Sequence, residues 1–153
     1  MNIDITDMIT IYKDSKTVFD YISNLENDKF WRKEINSTTM STKPQLNALA
    51  VESSFLSKRV PGNILNLICT EFSENKKIVY QTLPDSKFFI KSIREVEAIS
   101  QNESRVIYSI TFDKSIAKHG LGFSLPSFII KWAANNDMKK YLAKLKTILE
   151  KKV

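Results

Sequence analysis

The sequence predicts an α+β fold in which one strand, two short helices and six further strands precede a long terminal helix. Three observations carry that reading. Apolar residues recur with period two from Ile35 to Asp113, and turn residues punctuate the stretch at Lys43-Pro44, Pro61-Gly62, Ser73-Glu74-Asn75, Pro84-Asp85 and Gln101-Asn102, which divides it into about six strands. The joints are too short for crossover helices, so the strands pair antiparallel and a doubly wound parallel sheet is excluded. From about Ser124 the period becomes helical and stays so almost to the end.

Taken in order, Ile3 to Tyr12 alternate as a strand with Ile3, Ile5, Ile9 and Ile11 on one face. Asp14 or Ser15 can then accept from the free amides of a first helical turn, and Val18, Ile22 and Leu25 follow at i, i+4, i+7, which gives a helix from about Lys16 to Ser23. Asn24, Asn27 and Asp28 break it, and a second short turn is expected to carry Phe30 and Trp31 inward. In the strand near Phe88 to Ala98 the better interior face is Phe88, Ile90, Ser92, Arg94, Val96 and Ala98; in the next strand it is Val106, Tyr108, Ile110 and Phe112. A loop from Lys114 to Phe123 holds two of the three glycines, Gly120 and Gly122, and reads as a mobile connection. The terminal helix places Ile130, Ala134, Met138, Tyr141, Leu142, Leu145, Ile148 and Leu149 on one stripe, long enough to lie across a whole sheet.

A chain of 153 residues is expected to form one domain over residues 1–153. Its 42% hydrophobic and 26% charged residues exclude a disordered or disulfide-dense class, and with Cys69 alone no internal disulfide can form. No apolar run reaches the roughly 18 residues of a membrane span. The first residues carry neither the basic nor the apolar region of a secretory signal, so a soluble protein in the cytoplasm is expected. The net charge of +6 suits nucleic acid or anionic membranes equally. No nucleic-acid motif accompanies it, and the basic residues are interspersed with acids except on the terminal helix, so no nucleic-acid partner is expected.

Four stretches carry a family likeness. They are Asp14-Ser15 leading into Val18-Phe19-Asp20-Tyr21-Ile22-Ser23-Asn24-Leu25-Glu26 and Trp31; Thr70 to Tyr80 around Phe72-Ser73-Glu74-Asn75; Ser104-Arg105-Val106-Ile107-Tyr108; and the amphipathic terminal helix. Through them nearly the whole chain resembles the START-related SRPBCC superfamily, most closely its polyketide cyclase/dehydrase-like branch. The resemblance implies a helix-grip fold: a curved seven-stranded antiparallel sheet wrapped around the long C-terminal helix, with two short helices after the first strand. It also implies a pocket for a hydrophobic small molecule, lipid or polyketide-like aromatic, between sheet and helix. A second branch, the activators of the Hsp90 ATPase, would make the chain a protein-binding module, but the Trp pair of that branch is met here by Phe30-Trp31.

The residues offer little covalent chemistry. His119 is the only histidine, so paired-His, His-Cys and HExxH metal sites cannot be built and no metal or other cofactor is expected. His119-Gly120-Leu121-Gly122 lacks the third glycine of a dinucleotide loop, because position 125 is Leu. No catalytic residue is assigned. Arg94 is the most informative position, since a guanidinium on an apolar face needs partners. It could bind a ligand's carboxylate or phosphate, pair with Glu71 or another internal acid, or be turned outward by a bulge. The expected ligand-binding set is Trp31, Tyr80, Ser92, Arg94, Tyr108, Phe112 and Trp132, with Tyr80, Ser92 and Tyr108 as polar tips in an apolar wall. Phe128 and Trp132 lie off the main stripe of the terminal helix. Either the loop bearing Leu121 and Phe123 covers them, or they form, with the helix's lysines, a transient contact to a membrane surface. The protein is expected to act as a monomer or homodimer. Binding of a hydrophobic molecule is the leading function, and a cyclase/dehydratase-type enzyme the alternative.

Overall fold

The computed structural model describes residues 1–151. Strand β1 (Asn2–Ile11) leads into helix α1 (Ser15–Ser23) and a 3-10 turn (Leu25–Phe30). Six strands follow: β2 (Ile35–Met40), β3 (Leu49–Ser54), β4 (Asn63–Ser73), β5 (Lys77–Thr82), β6 (Ile90–Ser100) and β7 (Glu103–Asp113). A short helix α2 (Ser115–Leu121) and the long helix α3 (Ser127–Lys151) complete the fold. Asp14 starts α1 by accepting from the Thr17 amide at 3.0 Å and the Thr17 hydroxyl at 2.7 Å, as an N-cap should.

All seven strands form one antiparallel sheet in the order β1-β7-β6-β5-β4-β3-β2. Every neighbour from β2 to β7 is consecutive in sequence, and β1 closes onto β7 across the length of the chain. Register shifts at Ile35/Ser37, Cys69/Glu71 and Ala98/Ser100 bend their strands and deepen the curl. Helix α3 lies in the concavity.

The core is densest under the C-terminal half of α3. There Met138, Leu142, Leu145 and Leu149 meet Ile11 of β1, Val18 and Ile22 of α1, and Leu25 of the 3-10 turn, all at most 2% exposed. The strand alternation read from the sequence holds on this side, with Ile3, Ile5, Ile11, Val106 and Tyr108 buried. Ile110, Phe112 and Ala134 are only partly buried, because they face a cavity rather than packed side chains.

Three local expectations are corrected. Phe30 points outward and is 54% exposed, leaving Trp31, at 3%, as the only aromatic of the pair inside; the last turn of a 3-10 helix cannot aim two successive side chains the same way. The segment 114–123 is not an open loop but contains α2. Gly122 ends that helix in the left-handed region (φ 85°) with its amide donating to the Lys118 carbonyl at 2.7 Å, and a Cβ there would lie 2.7 Å from an Arg59 guanidinium nitrogen. Ala98, placed on the interior face of β6, is exposed, since the bulge after it ends the alternation.

Candidate functional site

Between the concave sheet and the N-terminal half of α3 lies a cavity of about 270 Å³. Its apolar wall comes from four directions: Ile5 of β1, Ile110 and Phe112 of β7, Ile116 of α2, and Ala134 and Met138 of α3. Phe55 and Leu56, after β3, stand at its rim. The opposite wall is polar, formed by Arg32, Glu34, Glu52, Tyr108, Asp137 and Tyr141. A smaller void of about 50 Å³, lined by Tyr80, Ser92 and Arg94 among others, shares Arg32, Glu52, Ile90 and Ile110 with it.

Asp28 organises the polar wall. It is fully buried and accepts from two arginines. Arg94 donates to it through Nη1 to Oδ1 at 2.8 Å and Nη2 to Oδ2 at 2.6 Å, and Arg32 through Nη1 to Oδ2 at 2.9 Å. Arg94 further donates to the Ile22 carbonyl at 2.8 Å and the Ser92 hydroxyl at 3.1 Å. Its guanidinium lies beside the Trp31–Tyr108 pair, 5.1 and 5.3 Å from the two ring centroids, a placement suited to a desolvated cation. Of the alternatives the sequence left open for Arg94, internal pairing is the one observed, and the acid is Asp28. Glu71 instead faces solvent and pairs with Lys77 at 3.3 Å.

Arg32 carries the network to the cavity. Its Nε and Nη2 donate to Glu34 Oε1 at 3.2 and 2.8 Å, and Nη1 stands 3.6 Å from Glu52 Oε2. Burial opposes the Arg32 charge, but Tyr108, Glu34, Glu52 and Asp28 around it hold the guanidinium protonated well above its ordinary range. The Glu52 carboxyl, on a residue 6% exposed, takes no hydrogen bond from the described residues. Burial pushes its pKa up, Arg32 pulls it back, and Asp28 and Glu34 push it up again, leaving a net rise. Glu34 Oε2 is buried and no donor meets it in hydrogen-bonding geometry. The Tyr141 hydroxyl is pushed up in pKa by burial first and then by the Glu34 carboxylate, through its charge and as a hydrogen-bond acceptor for the hydroxyl.

The other expected site residues fall into four places. Tyr108 and Phe112 line the large cavity. Tyr80 and Ser92 line the small void, Tyr80 with its hydroxyl donated to the Ser23 carbonyl at 2.8 Å. Trp31 packs edge-on against Tyr108 at 5.5 Å behind the wall. Trp132 is 70% exposed and does not line either space. His119 lies on α2 against the Phe88 ring at 5.2 Å. Among the described residues no cluster of His, Cys, Asp and Glu could hold a metal ion.

No protein-family model matches this sequence, and no curated protein matches it either. Solved structures do. A START superfamily protein from Mycobacterium smegmatis superimposes with a TM-score of 0.74 at 11% identity, covering 96% of this chain and 97% of that one. The fold is START-like. The Zhui aromatase/cyclase from Streptomyces sp. R1128 matches with a TM-score of 0.74 at 9% identity, over 98% of this chain and 94% of that one. The di-domain aromatase/cyclase BexL from the BE-7585A biosynthetic pathway matches at 0.66 and 12% identity, over 99% of this chain but 51% of BexL. At these identities the likeness is one of fold, the START-like, polyketide cyclase-like helix grip, and residue roles have to come from this chain's own geometry.

Proposed function

We propose that this START-like protein binds a hydrophobic small molecule in the cavity between the sheet and α3. The observation that carries the reading is the cavity itself: about 270 Å³, apolar on most sides and polar at one end, where a close-packed core would be expected. Removal of apolar surface from water supplies the affinity, at about 25 cal/mol per Å², and the polar wall orients the ligand. That the neighbours Zhui and BexL are described as aromatase/cyclases supports an aromatic or polyketide-like body for the ligand.

A second reading, a cyclase/dehydratase-type enzyme, is favoured by Glu52. A buried carboxyl with raised pKa facing a cavity can hold or move a proton. It predicts turnover of a bound enolisable compound, abolished by Glu52→Gln.

Access to the cavity fits an anionic membrane surface as the place of loading. Leu121, Phe123, Phe128 and Trp132 are 38%, 57%, 73% and 70% exposed at the α2–α3 end, Arg59 packs on Gly122 beside them, and Lys118 and Lys131 lie among them in sequence. Exposed aromatics among basic side chains are the chemistry of interfacial contact, whereas no described helix is long and apolar enough to cross a bilayer.

The experiment is native mass spectrometry of the purified protein, solvent extraction of any bound mass, and titration with the neutral fluorophore N-phenyl-1-naphthylamine. A discrete adduct or saturable one-to-one fluorescence is expected. Neither adduct nor saturable binding would remove the reading.

A further inference from the structure

Resting on the cavity reading above, we propose that the molecule bound there carries a hydrogen-bond donor, a hydroxyl or a protonated amine, at its polar end, and that Glu34 and Glu52 receive it. One of the alternatives the sequence left open for Arg94 was the opposite, a ligand carboxylate or phosphate held by its guanidinium. The structure removes the cation needed for that. Both nitrogens of Arg94 that could fork onto an anion are held by Asp28, and its Nε by Ser92. Arg32, the only basic residue lining the cavity among the described residues, directs Nη1 to Asp28 and both Nε and Nη2 to Glu34.

What remains on the polar wall is the acceptor capacity of the carboxyls, together with the Tyr108 and Tyr141 hydroxyls, which can accept as well as donate. Glu34 Oε2 is buried with no donor in hydrogen-bonding geometry, although the Tyr141 hydroxyl stands close enough to act on the carboxylate. The Glu52 carboxyl has only the 3.6 Å approach of Arg32, which is too long for a hydrogen bond. Buried acceptors left in this state are expensive, and a ligand N–H or O–H would relieve them. Charge balance points the same way. Asp28, Glu34 and Glu52 are three carboxyls against the two guanidiniums, so the cluster is neutral with Glu52 protonated and negative with it ionised. Asp137, also on the wall, is paired with Lys33 at 3.4 Å on the surface side. An incoming anion would meet this charge with both guanidiniums already committed, and only the Tyr108 and Tyr141 hydroxyls of the wall could donate to it. A hydroxyl is accommodated in either state of Glu52, and an ammonium would favour the ionised carboxylate, the Glu52 proton being released to solvent.

Four probes with one apolar body decide the matter: naphthalene, 2-naphthol, (2-naphthylmethyl)ammonium and 2-naphthoate, titrated calorimetrically into the full chain at neutral pH. The naphthol, the ammonium, or both should bind roughly tenfold more tightly than naphthalene, and naphthoate more weakly than naphthalene. Which donor gains shows whether the natural group is a hydroxyl or an amine. Glu34→Gln and Glu52→Gln, tested separately, should keep naphthalene affinity while shrinking the donor advantage several-fold; naphthalene binding serves as the check that each variant is folded. Naphthoate binding tightest, or all four binding equally, would overturn the inference and leave the apolar cavity standing. Failure of naphthalene and every other probe would overturn the cavity reading and this inference with it.

Discussion

Replacement of Arg94 by methionine tests the polar wall at its root. Arg94 is 1% exposed and makes four hydrogen bonds, two to Asp28 and one each to Ile22 and Ser92. Methionine keeps the apolar stem beside the Trp31 and Tyr108 rings but removes every donor. Asp28, fully buried, is left with Arg32 alone, and the Ile22 carbonyl loses its side-chain donor. Breaking a buried ion pair from one side costs about 3–5 kcal/mol. In a domain of this size that lowers the thermal midpoint by roughly 10 °C, since each kcal/mol is worth about 2–4 °C. The assay is urea denaturation followed by circular dichroism, with the slope m required to stay constant. Asp28→Asn should cost a similar amount. The double variant Asp28→Asn/Arg94→Met should lose clearly less than the two single losses together, because each single change strands the partner that the other removes. A loss below about 1 kcal/mol for Arg94→Met, or strict additivity in the double variant, would refute the assignment of Asp28 as the charge that holds Arg94.

Three further outcomes are expected. Burial raises the Glu52 pKa against the pull of Arg32, so the folded protein holds a proton there that the unfolded chain releases, and Glu52 costs stability as pH rises from the ordinary glutamate range through its folded value. Glu52→Gln should therefore raise the thermal midpoint near pH 7.5 and leave it unchanged near pH 4; an equal shift at both would contradict the burial of the charge. Ala134→Phe should fill the cavity between α3 and β7, cutting N-phenyl-1-naphthylamine binding at least tenfold while changing stability by no more than about 2 kcal/mol; undiminished binding would place the probe elsewhere. Phe128→Glu with Trp132→Glu, at positions 73% and 70% exposed, should leave the unfolding midpoint unchanged and lower sedimentation with phosphatidylserine vesicles at least fivefold, with no effect of either change on vesicle binding counting against the membrane contact.

The fold was legible because its long-range order is written in short-range periods. Seven strands, a capped α1 and a 25-residue α3 each follow from alternation, turn residues or a helical stripe, and so does the inward face of Arg94. The site was legible only in part. Glu52 escaped because β3 inverts the usual pattern. Its apolar residues Leu49 and Val51 face outward at 46% and 47% exposure, while Ala50, Glu52 and Ser54 face inward at 2%, 6% and 3%. A face of alanine, glutamate and serine reads as solvent-exposed by any hydrophobic criterion. Asp28 escaped for a different reason. Among Asn24, Asn27 and Asp28 it reads as a helix breaker, and nothing local distinguishes an aspartate that ends a helix from one buried beneath a sheet 66 residues away in sequence. The one local signal was Asp28 and Arg32 at i, i+4, a spacing more often found on solvated surfaces.

These two omissions change what the cavity can be. A guanidinium alone on an apolar wall would make an anion site, and the sequence contained one. With Asp28 and Glu34 added, both arginines become scaffold: they hold those two carboxyls in place and leave Glu52 with a single 3.6 Å approach from Arg32. A network satisfied on its inner side fixes Asp28 and Glu34, and Glu52 is the carboxyl left to answer a ligand. The α2–α3 end is built differently. There α2 is short, ends on a left-handed Gly122, and meets the start of α3 through exposed Leu121, Phe123 and Phe128. The polar wall and the exposed apolar α2–α3 end are thus carried by different elements, and under the proposed reading substitutions should separate them: Glu34 and Glu52 variants in which ligands are preferred, α2–α3 variants in how fast any ligand exchanges.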